Sequence, residues 1–274
     1  SRGLGDVYKR QVNIHPTYFL NYSHNSLTSA LSDIHNDLYL DNLATGISAE
    51  IAWRYRKVNA SLYIPVGYRF FNLKNRLTDV RTDKNRVRVE PRLDFSYKIS
   101  SNHDLSLKSA LNYSSPSIQN LYSNYILTSY RQLSAYDVAG LFEGINFSNS
   151  LSYNFKNLFS MSFAGVDISW NRQKPDVLYG SYYDGLVERV ISQRTNETSD
   201  MISAIIRGSQ GFDWRRLKIG LSASYSFYTS PLLVQNSVIR YSGRAIGVNG
   251  DISLALFKWL SISYEGCLLY TSDA

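Results

Sequence analysis

Several features that other protein classes depend on are scarce or missing in this sequence. It contains a single cysteine, Cys267, so neither a disulfide framework nor a cysteine metal site can form within the chain. It also contains no apolar run of about 18 residues, the length that a transmembrane helix requires. The length of 274 residues is compatible with one or two domains and does not distinguish between fold classes.

Charge and histidine usage argue against nucleic-acid binding and catalysis. The net charge is +7, but the cations are dispersed among predicted strands and turns and form no single stripe, which argues against a nucleic-acid partner. The histidines are scattered, no pair has the spacing of a zinc protease, and no Ser–His or Asp–His constellation is evident. We therefore predict that the chain is not an enzyme, with no catalytic residue and no cofactor.

One acidic stretch is a candidate metal site. Asp33, His35, Asp37 and Asp41 share one face if their segment is extended, as ligands of a hard metal would. The segment lacks the glycine-containing loop of a calcium site, so the favoured interpretation is a solvated loop that binds no metal.

Both ends of the chain resemble translated sequencing adaptor. Asp6–Gln11 can be encoded by GAT-GTG-TAT-AAG-AGA-CAG, the transposon end used in sequencing libraries, and the reverse complement of that DNA, read one base out of frame, encodes Cys267–Ser272. We therefore interpret residues 1–11 and 267–274 as non-native and residues 12–266 as the protein proper. The native chain is expected to extend beyond both ends.

The clearest pattern in the sequence is an amphipathic hairpin from Leu43 to Leu73. Alternate residues from Leu43 to Tyr55 are apolar, a polar turn is predicted at Lys57–Asn59, and the alternation resumes from Ala60 to Phe70. A strict period of two on both sides of a short turn is typical of a β-hairpin. The strands exceed the usual ~5–6 residues of a globular sheet and match the ~9–11 tilted residues that cross a bilayer.

Similar alternation continues to Tyr264 and predicts about eleven strands. Short turns are predicted near residues 57, 101, 156, 215 and 258, and long connections at 72–85, 114–144, 172–198 and 231–242. Residues 23–42 were ambiguous between a loop and a further strand. Short turns on one side and long loops on the other are typical of outer-membrane barrels.

Aromatic residues are abundant, with 22 Tyr, 12 Phe and 4 Trp, and they concentrate near the predicted strand ends. One predicted belt lies at the short turns and includes Trp53, Tyr55, Phe212 and Trp259. The other lies at the opposite ends and includes Tyr68, Phe70, Phe71, Tyr113, Trp170 and Phe227. Two such belts are typical of the two boundaries between lipid and water.

These patterns predict an all-β fold: an incomplete, antiparallel, up-and-down transmembrane β-barrel. A soluble β-sandwich also has alternating strands, but it does not account for the strand length, the belts or the loop asymmetry. Charges facing lipid would be costly, so the charged face is predicted to line a watery lumen, either as an electrostatic lining or as mutually paired, solvated groups. The residues of this face are Glu50, Arg54, Arg88, Glu90, Arg92, Asp94 and Lys98.

The body of the chain resembles the C-terminal barrel portion of a TonB-dependent outer-membrane receptor of the type abundant in Bacteroidetes. The hairpin series carries the resemblance, together with Tyr113–Leu121, which is similar to the Pro-Ser-x-x-x-Leu stretch of these barrels. The Gly-Asn-Pro-x-Leu that usually follows is replaced by Tyr125–Leu133.

The resemblance implies a bacterial outer-membrane protein that imports a bulky solute, such as a siderophore or glycan, through a 22-strand barrel. Implied partners are outer-membrane lipid, an N-terminal plug domain, the inner-membrane TonB complex and a surface lipoprotein. A passive porin-like or structural barrel is the alternative. Aromatic rings in outer loops can stack on sugars or chelates, so the predicted ligand contacts are Tyr122, Tyr125, Tyr130, Tyr179, Tyr182 and Tyr183.

Overall fold

The structure is a computed structural model that describes residues 11–31, 34–122, 124–129, 132–134, 140–184, 187–213, 216–257 and 259–273. These residues form strands almost throughout, with one short 3-10 turn at Ile118–Asn120. The strands are β1 (Gln11–Leu31), β2 (Ile34–Tyr55), β3 (Val58–Asn75), β4 (Val80–Val89), β5 (Arg92–Lys98), β6 (His103–Tyr113), β7 (Ile126–Ser129), β8 (Gln132–Ser134), β9 (Ile145–Asn157), β10 (Ser162–Lys174), β11 (Val177–Asp184), β12 (Val187–Arg194), β13 (Ser199–Phe212), β14 (Leu217–Val234), β15 (Ser237–Phe257) and β16 (Leu260–Asp273).

All sixteen strands belong to one large, mostly antiparallel sheet. The long strands pair in chain order, each with the next, as the predicted series of hairpins requires. In the hairpin that the sequence predicts best, Ile47 pairs with Val66 and Ile51 pairs with Leu62. Directly paired residues of an antiparallel sheet share a face, so this register places the predicted apolar positions of both strands on the same side.

Four short strands form a bridge between the two ends of this series. The bridge consists of β11, β12, β8 and β7, and β11 and β12 form a hairpin within the connection from β10 to β13. Gly180 of β11 pairs in parallel with Leu233 of β14, and β12 pairs in parallel with β8. At its far end β7 contacts β1, without a hydrogen-bonded register between them in the described residues. The sheet is therefore not closed.

The prediction of about eleven strands undercounts the strand segments. The four strands of the bridge lie in connections that were predicted to be loops. In addition, β4 and β5 together correspond to one predicted strand, which is interrupted at Glu90–Pro91. A proline has no N–H to donate to a strand ladder, which accounts for the interruption.

Two predicted loops, at 72–85 and 231–242, were wrong, because strands run through most of their residues. Residues 72–85 contain only the short turn Arg76–Asp79. Residues 23–42, for which the sequence left a loop and a further strand open, belong to β1 and β2 at 23–31 and 34–42. The predicted loop at 231–242 is a hairpin with the two-residue turn Gln235–Asn236, whose φ angles are 50° and 64°. Positive φ at both central residues is the backbone of a type I′ turn, which matches the twist of the adjoining strands.

Two predicted short turns were displaced by one or two residues. Arg56 and Lys57 form the first turn, because Val58 already pairs with Tyr55. At the third, β9 continues through Asn157 and the turn is Leu158–Met161. The Asn157 side chain accepts hydrogen bonds from the backbone N–H groups of Phe159 and Ser160, a local closure typical of an Asx turn.

One face of the sheet, here called the apolar face, carries large exposed hydrophobic side chains. Ile47 is 66% exposed, Val87 67%, Ile206 59% and Leu221 61%. The pairing register places them on a common side with most of the predicted belt residues. Phe71 is an exception among the belt residues, since it is fully buried on the opposite face. No helix among the described residues is long and apolar enough to cross a membrane.

The structure describes the C-terminal end of the chain but little of the N-terminal end. Residues 1–10, most of the predicted N-terminal adaptor segment, lie outside the described residues. In the C-terminal segment, Cys267–Asp273 continue β16 and pair with Gly243–Asn249 of β15. The interpretation of both ends as adaptor stays a prediction.

Candidate functional site

The second side of the sheet, here called the polar face, carries the charged residues that the sequence singled out. Register places Glu50, Arg54, Arg88, Arg92, Asp94 and Lys98 together on this face, opposite the apolar face. Glu90 lies in the interruption between β4 and β5 and also points to this side, because it binds Arg69. Thus one face brings together all seven charged residues that the sequence predicts to line a lumen.

A groove of about 350 Å³ runs across the polar face over β2, β3, β5 and β6. Its lining includes Glu50, Arg54, Asp94 and Lys108, with Asn and Ser side chains between them. Towards β9 and β10 the neighbouring groove shares Asp94 and Lys108 and adds Ser148, Ser150, Ser169 and Asn171. The polar face is thus a hydroxyl- and amide-rich surface with both signs of charge.

Some charges of the polar face pair with each other. The Arg69 guanidinium lies 3.3 Å from Glu90, whose other carboxylate oxygen accepts the Tyr113 backbone N–H at 2.9 Å. Arg207 lies 2.8 Å from Asp167. Since these groups are half-buried or exposed, the pairs are expected to orient the side chains and to contribute little stability.

Within the segment 114–144, residues 114–122 and 140–144 cover the polar face near the bridge. Leu40 and Phe71 of the sheet and Leu141 of this segment form a buried apolar cluster, against which Leu73, Ile118 and Leu121 pack. The sheet residues of this cluster occupy positions that are polar further along the same strands. The polar face therefore carries apolar side chains where the segment covers it. The burial of these side chains holds the segment in place.

A buried ion pair lies beside this cluster. Arg88 is 2% exposed and binds Glu143, whose side chain is completely buried, and Arg86 lies 3.5 Å from the same carboxylate. The Arg88 guanidinium lies 5.5 Å from the Phe71 ring centroid and 5.4 Å from that of Tyr113, within cation–π range. Nε and Nη1 of Arg88 have no hydrogen-bond partner among the residues that the structure describes. The pair links the sheet to residues 114–144.

The predicted ligand-contact tyrosines are divided among different environments. Tyr122 is buried and Tyr125 is half-buried, whereas Tyr179, Tyr182 and Tyr183 on β11 are 36–55% exposed. Burial raises the pKa of the Tyr179 phenol, and a hydrogen bond with Asn120 opposes this shift. Tyr130 lies outside the described residues. Exposed rings thus come from β11 of the bridge, and ligand contact by these tyrosines stays a prediction.

The acidic stretch weighed as a metal site has other contacts. Asp41 accepts hydrogen bonds from Tyr22 and from the His24 ring, and the His24 bond is the main cause that lowers the Asp41 pKa. Asp33 lies outside the described residues. No group of three or more potential metal-binding side chains is present in the part of the chain that the structure describes.

Sequence reasoning missed the cations next to the buried pair. Lys84 and Arg86 precede Arg88 at alternate positions of β4, and so all three share the polar face. Burial, and then the nearby charge of Arg86, lower the Lys84 pKa, and its ammonium donates a hydrogen bond to the Leu141 carbonyl. The spacing Lys84-x-Arg86-x-Arg88 could have indicated this row, but residues 72–85 were predicted to be a loop.

These observations define an all-β protein built on one large sheet with an exposed apolar face and a partly covered polar face. No protein-family model matches the chain, and no curated protein is significantly similar to it.

Proposed function

We propose that the chain is the barrel portion of a TonB-dependent outer-membrane receptor, which imports a bulky solute across the outer membrane of a bacterium. The observation that carries the proposal is the exposed apolar face. Soluble monomers rarely expose contiguous apolar patches larger than a few hundred Å². In a bilayer, the same face contacts lipid and needs no further cover.

The dimensions of the strands support a membrane span. In β2 and β3, the segments 43–55 and 58–70 join the two aromatic belts, and similar segments of the other long strands complete the span. Their length matches the ~9–11 tilted residues that cross a bilayer. Strands continue beyond this band towards the bridge, where Asp41, Lys84 and Asp200 lie outside it. Closure by further strands is part of the proposal, because an open edge in lipid leaves backbone groups unsatisfied.

The polar face supports a route for a polar solute. It carries hydroxyl, amide and charged side chains that would line the interior of the barrel. The energy for import would come from the inner-membrane TonB complex through a plug domain, as the resemblance implies. The proposal assigns no catalytic residue.

A passive, porin-like barrel is the second candidate, and one observation favours it. Residues 114–122 and 140–144 already cover part of the polar face, so the chain itself narrows the space that a separate plug would occupy. The complete gene distinguishes the two: an upstream plug domain supports the receptor, and a complete gene without one supports the passive barrel. Solute uptake that stops when the TonB complex is removed would also support the receptor.

Membrane insertion is tested by Ile47→Arg. Arginine at the centre of the lipid-facing band should cost about 2–4 kcal/mol of folding free energy in lipid vesicles. In water, an exposed isoleucine can be replaced at a cost within about 0.5 kcal/mol. The measurement is the denaturant dependence of unfolding for the chain reconstituted in phosphatidylcholine vesicles.

Ser226→Arg is the matched control, since Ser226 lies on the polar face between Ser203 and Ala245. We expect it to unfold like the unmodified chain in vesicles. Equal stability of the two variants would remove the basis for a lipid-facing apolar surface. A chain that stays soluble and monomeric without detergent would have the same consequence.

A further inference from the structure

We infer that a cleft between β4 and the end of β12 is a binding site for an anionic solute with carboxylate or phosphate oxygens. The cleft has a volume of about 430 Å³. It is lined by Lys84, Arg86, Phe142, Asp176, Arg194, Thr195 and Asn196. As the substrate class of the proposed importer, this inference rests on the proposed function, but the binding event itself can be measured independently.

Charge is the first argument. Among the described residues that line the cleft, three are cations, Lys84, Arg86 and Arg194, and one is a carboxylate, Asp176. A further carboxylate that acts on Lys84, that of Glu143, is engaged by the buried Arg88, and Arg86 lies 3.5 Å from it. An anion in the cleft would face an excess of positive charge that the neighbouring carboxylates do not neutralise.

The surroundings of the cations strengthen their attraction for an anion. Burial and the neighbouring charge of Arg86 lower the Lys84 pKa, and the nearby carboxylates of Glu143 and Asp176 only partly oppose this shift. Interactions between charges are stronger in such partly desolvated sites than in open water. The negative charge of a bound anion would offset both unfavourable effects on the protonated Lys84.

The remaining lining suits an organic anion. The Arg194 guanidinium lies 5.0 Å from the Phe142 ring centroid, so one wall combines a fixed cation with an apolar ring. The Asn196 side chain adds neutral hydrogen-bonding groups. The Thr195 hydroxyl oxygen accepts the Glu197 backbone N–H, and the Thr195 N–H donates to the Asp176 carbonyl, which hold this wall in position.

The position of the cleft favours a soluble ligand over a lipid headgroup. Both Lys84 and Arg86 lie on the polar face; Lys84 pairs with Phe71, just beyond the proposed lipid-facing band, and Arg86 pairs with Arg69 at its edge. The expected ligand therefore reaches the cleft from the water next to the bridge.

The test measures binding of citrate and of pyrophosphate to the 274-residue chain in zwitterionic detergent by calorimetry. The variant Lys84→Gln/Arg194→Gln removes two cations of the cleft and should weaken binding of both probes by about tenfold for each cation. The matched control is Lys74→Gln/Arg81→Gln, which removes the same net charge from paired residues of β3 and β4 on the opposite face. The control should bind within about twofold of the unmodified chain.

Asp176→Asn should change the affinity for both probes in the opposite direction. It removes the carboxylate of Asp176 from the described lining while preserving side-chain size, so binding of both probes should tighten several-fold. Loss of a merely structural contact would not tighten binding. If both variants bind the probes like the unmodified chain, or if the control loses as much affinity as Lys84→Gln/Arg194→Gln, the site is overturned.

Vesicles containing anionic lipid distinguish the two sources of anionic groups. The unmodified chain and Lys84→Gln/Arg194→Gln should associate equally with phosphatidylglycerol vesicles. Weaker association of the variant would overturn the assignment to a soluble anion. Failure of any of these binding tests leaves the Ile47→Arg result unchanged, so the two proposals fail separately.

Discussion

At the scale of single residues, Arg88 and Glu143 determine how tightly residues 114–144 are held against the sheet. Arg88 belongs to the sheet and Glu143 to the covering segment, and both are buried. Removing one member of a buried ion pair leaves the other charge uncompensated, which is usually more damaging than replacing both. The pair therefore makes the position of the segment depend on two side chains that are far apart in sequence.

Glu143→Gln should destabilise the covered state by about 3–5 kcal/mol. Cleavage by a protease within 114–144 should become faster, because the segment detaches more often from the polar face. The measurement is the rate of limited proteolysis in detergent, followed by mass spectrometry of the fragments.

The double variant Arg88→Met/Glu143→Met is the control for this prediction. It leaves no buried charge, so it should be cleaved more slowly than Glu143→Gln alone. Faster cleavage of the double variant would show that the two side chains act independently.

A second residue-scale prediction concerns acid. The Asp200 carboxylate accepts hydrogen bonds from Arg172 at 2.8 Å and from the Trp170 indole at 3.1 Å, and the Arg172 bond is the main cause that lowers the Asp200 pKa below its ordinary 3.8. Since the folded-state pKa is the lower one, the stabilisation is fully present above about pH 4 and is lost as pH falls through the folded value.

The indole emission of Trp170 reports this titration in a variant with phenylalanine at Trp53, Trp214 and Trp259. We expect the emission to change only below about pH 4. Asp200→Asn in the same background should remove the change. An unaltered acid transition in that variant would assign it to other groups.

At the scale of elements, amphipathic strands were predictable and their extensions were not. The hairpin of β2 and β3 was evident because lipid and water would impose opposite polarity on its two faces. Residues 23–42 show no such alternation, because the face that is apolar along the hairpin carries the hydrogen-bonded His24 and Asp41 there, while Leu38 and Leu40 are buried on the other face. Period two therefore disappears there even though the strands continue.

The bridge and the cationic cleft could not be predicted, for a different reason. Parallel pairing of β11 with β14 and of β12 with β8 joins segments that are distant in sequence and carry no shared pattern. The cleft depends on that pairing, because it brings Arg194 opposite Lys84. By contrast, the shared face of Glu50, Arg54 and Asp94 follows from strand periodicity alone.

The turn between β14 and β15 gives a prediction at this scale. Gln235 has a φ of 50°, a conformation that costs a residue with a Cβ roughly 1–2 kcal/mol and costs glycine little. Gln235→Gly should therefore stabilise the chain by about 1 kcal/mol, measured by denaturant unfolding in detergent. Gln193→Gly, at an exposed position of β12, is the control and should destabilise by about 0.5–1 kcal/mol. A loss of stability at both positions would exclude the type I′ geometry.

At the scale of the whole molecule, β16 leaves one edge of the sheet open. It pairs with β15 alone among the described strands. Unpaired N–H and C=O groups are costly in lipid, so the reconstituted chain should associate through this edge. Cys267 lies near the middle of β16 and is exposed.

We therefore expect a disulfide-linked dimer when the chain in vesicles is oxidised, seen as a doubled mass on a non-reducing gel. Cys267→Ser should abolish the linked band while leaving the association detectable with an amine cross-linker. A chain that stays monomeric in vesicles by both measurements would contradict an edge exposed to lipid.

The bridge has a geometric consequence for any larger ring. It connects β14 with β1 through β11, β12, β8 and β7, a path separate from the series of long strands that also joins them. If additional strands complete the circumference between β16 and β1, the bridge becomes a chord that divides the mouth into two apertures. One aperture is bounded by the strands described above, and the other by strands still to be added. A bulky solute would then have to pass through the second opening or displace the bridge.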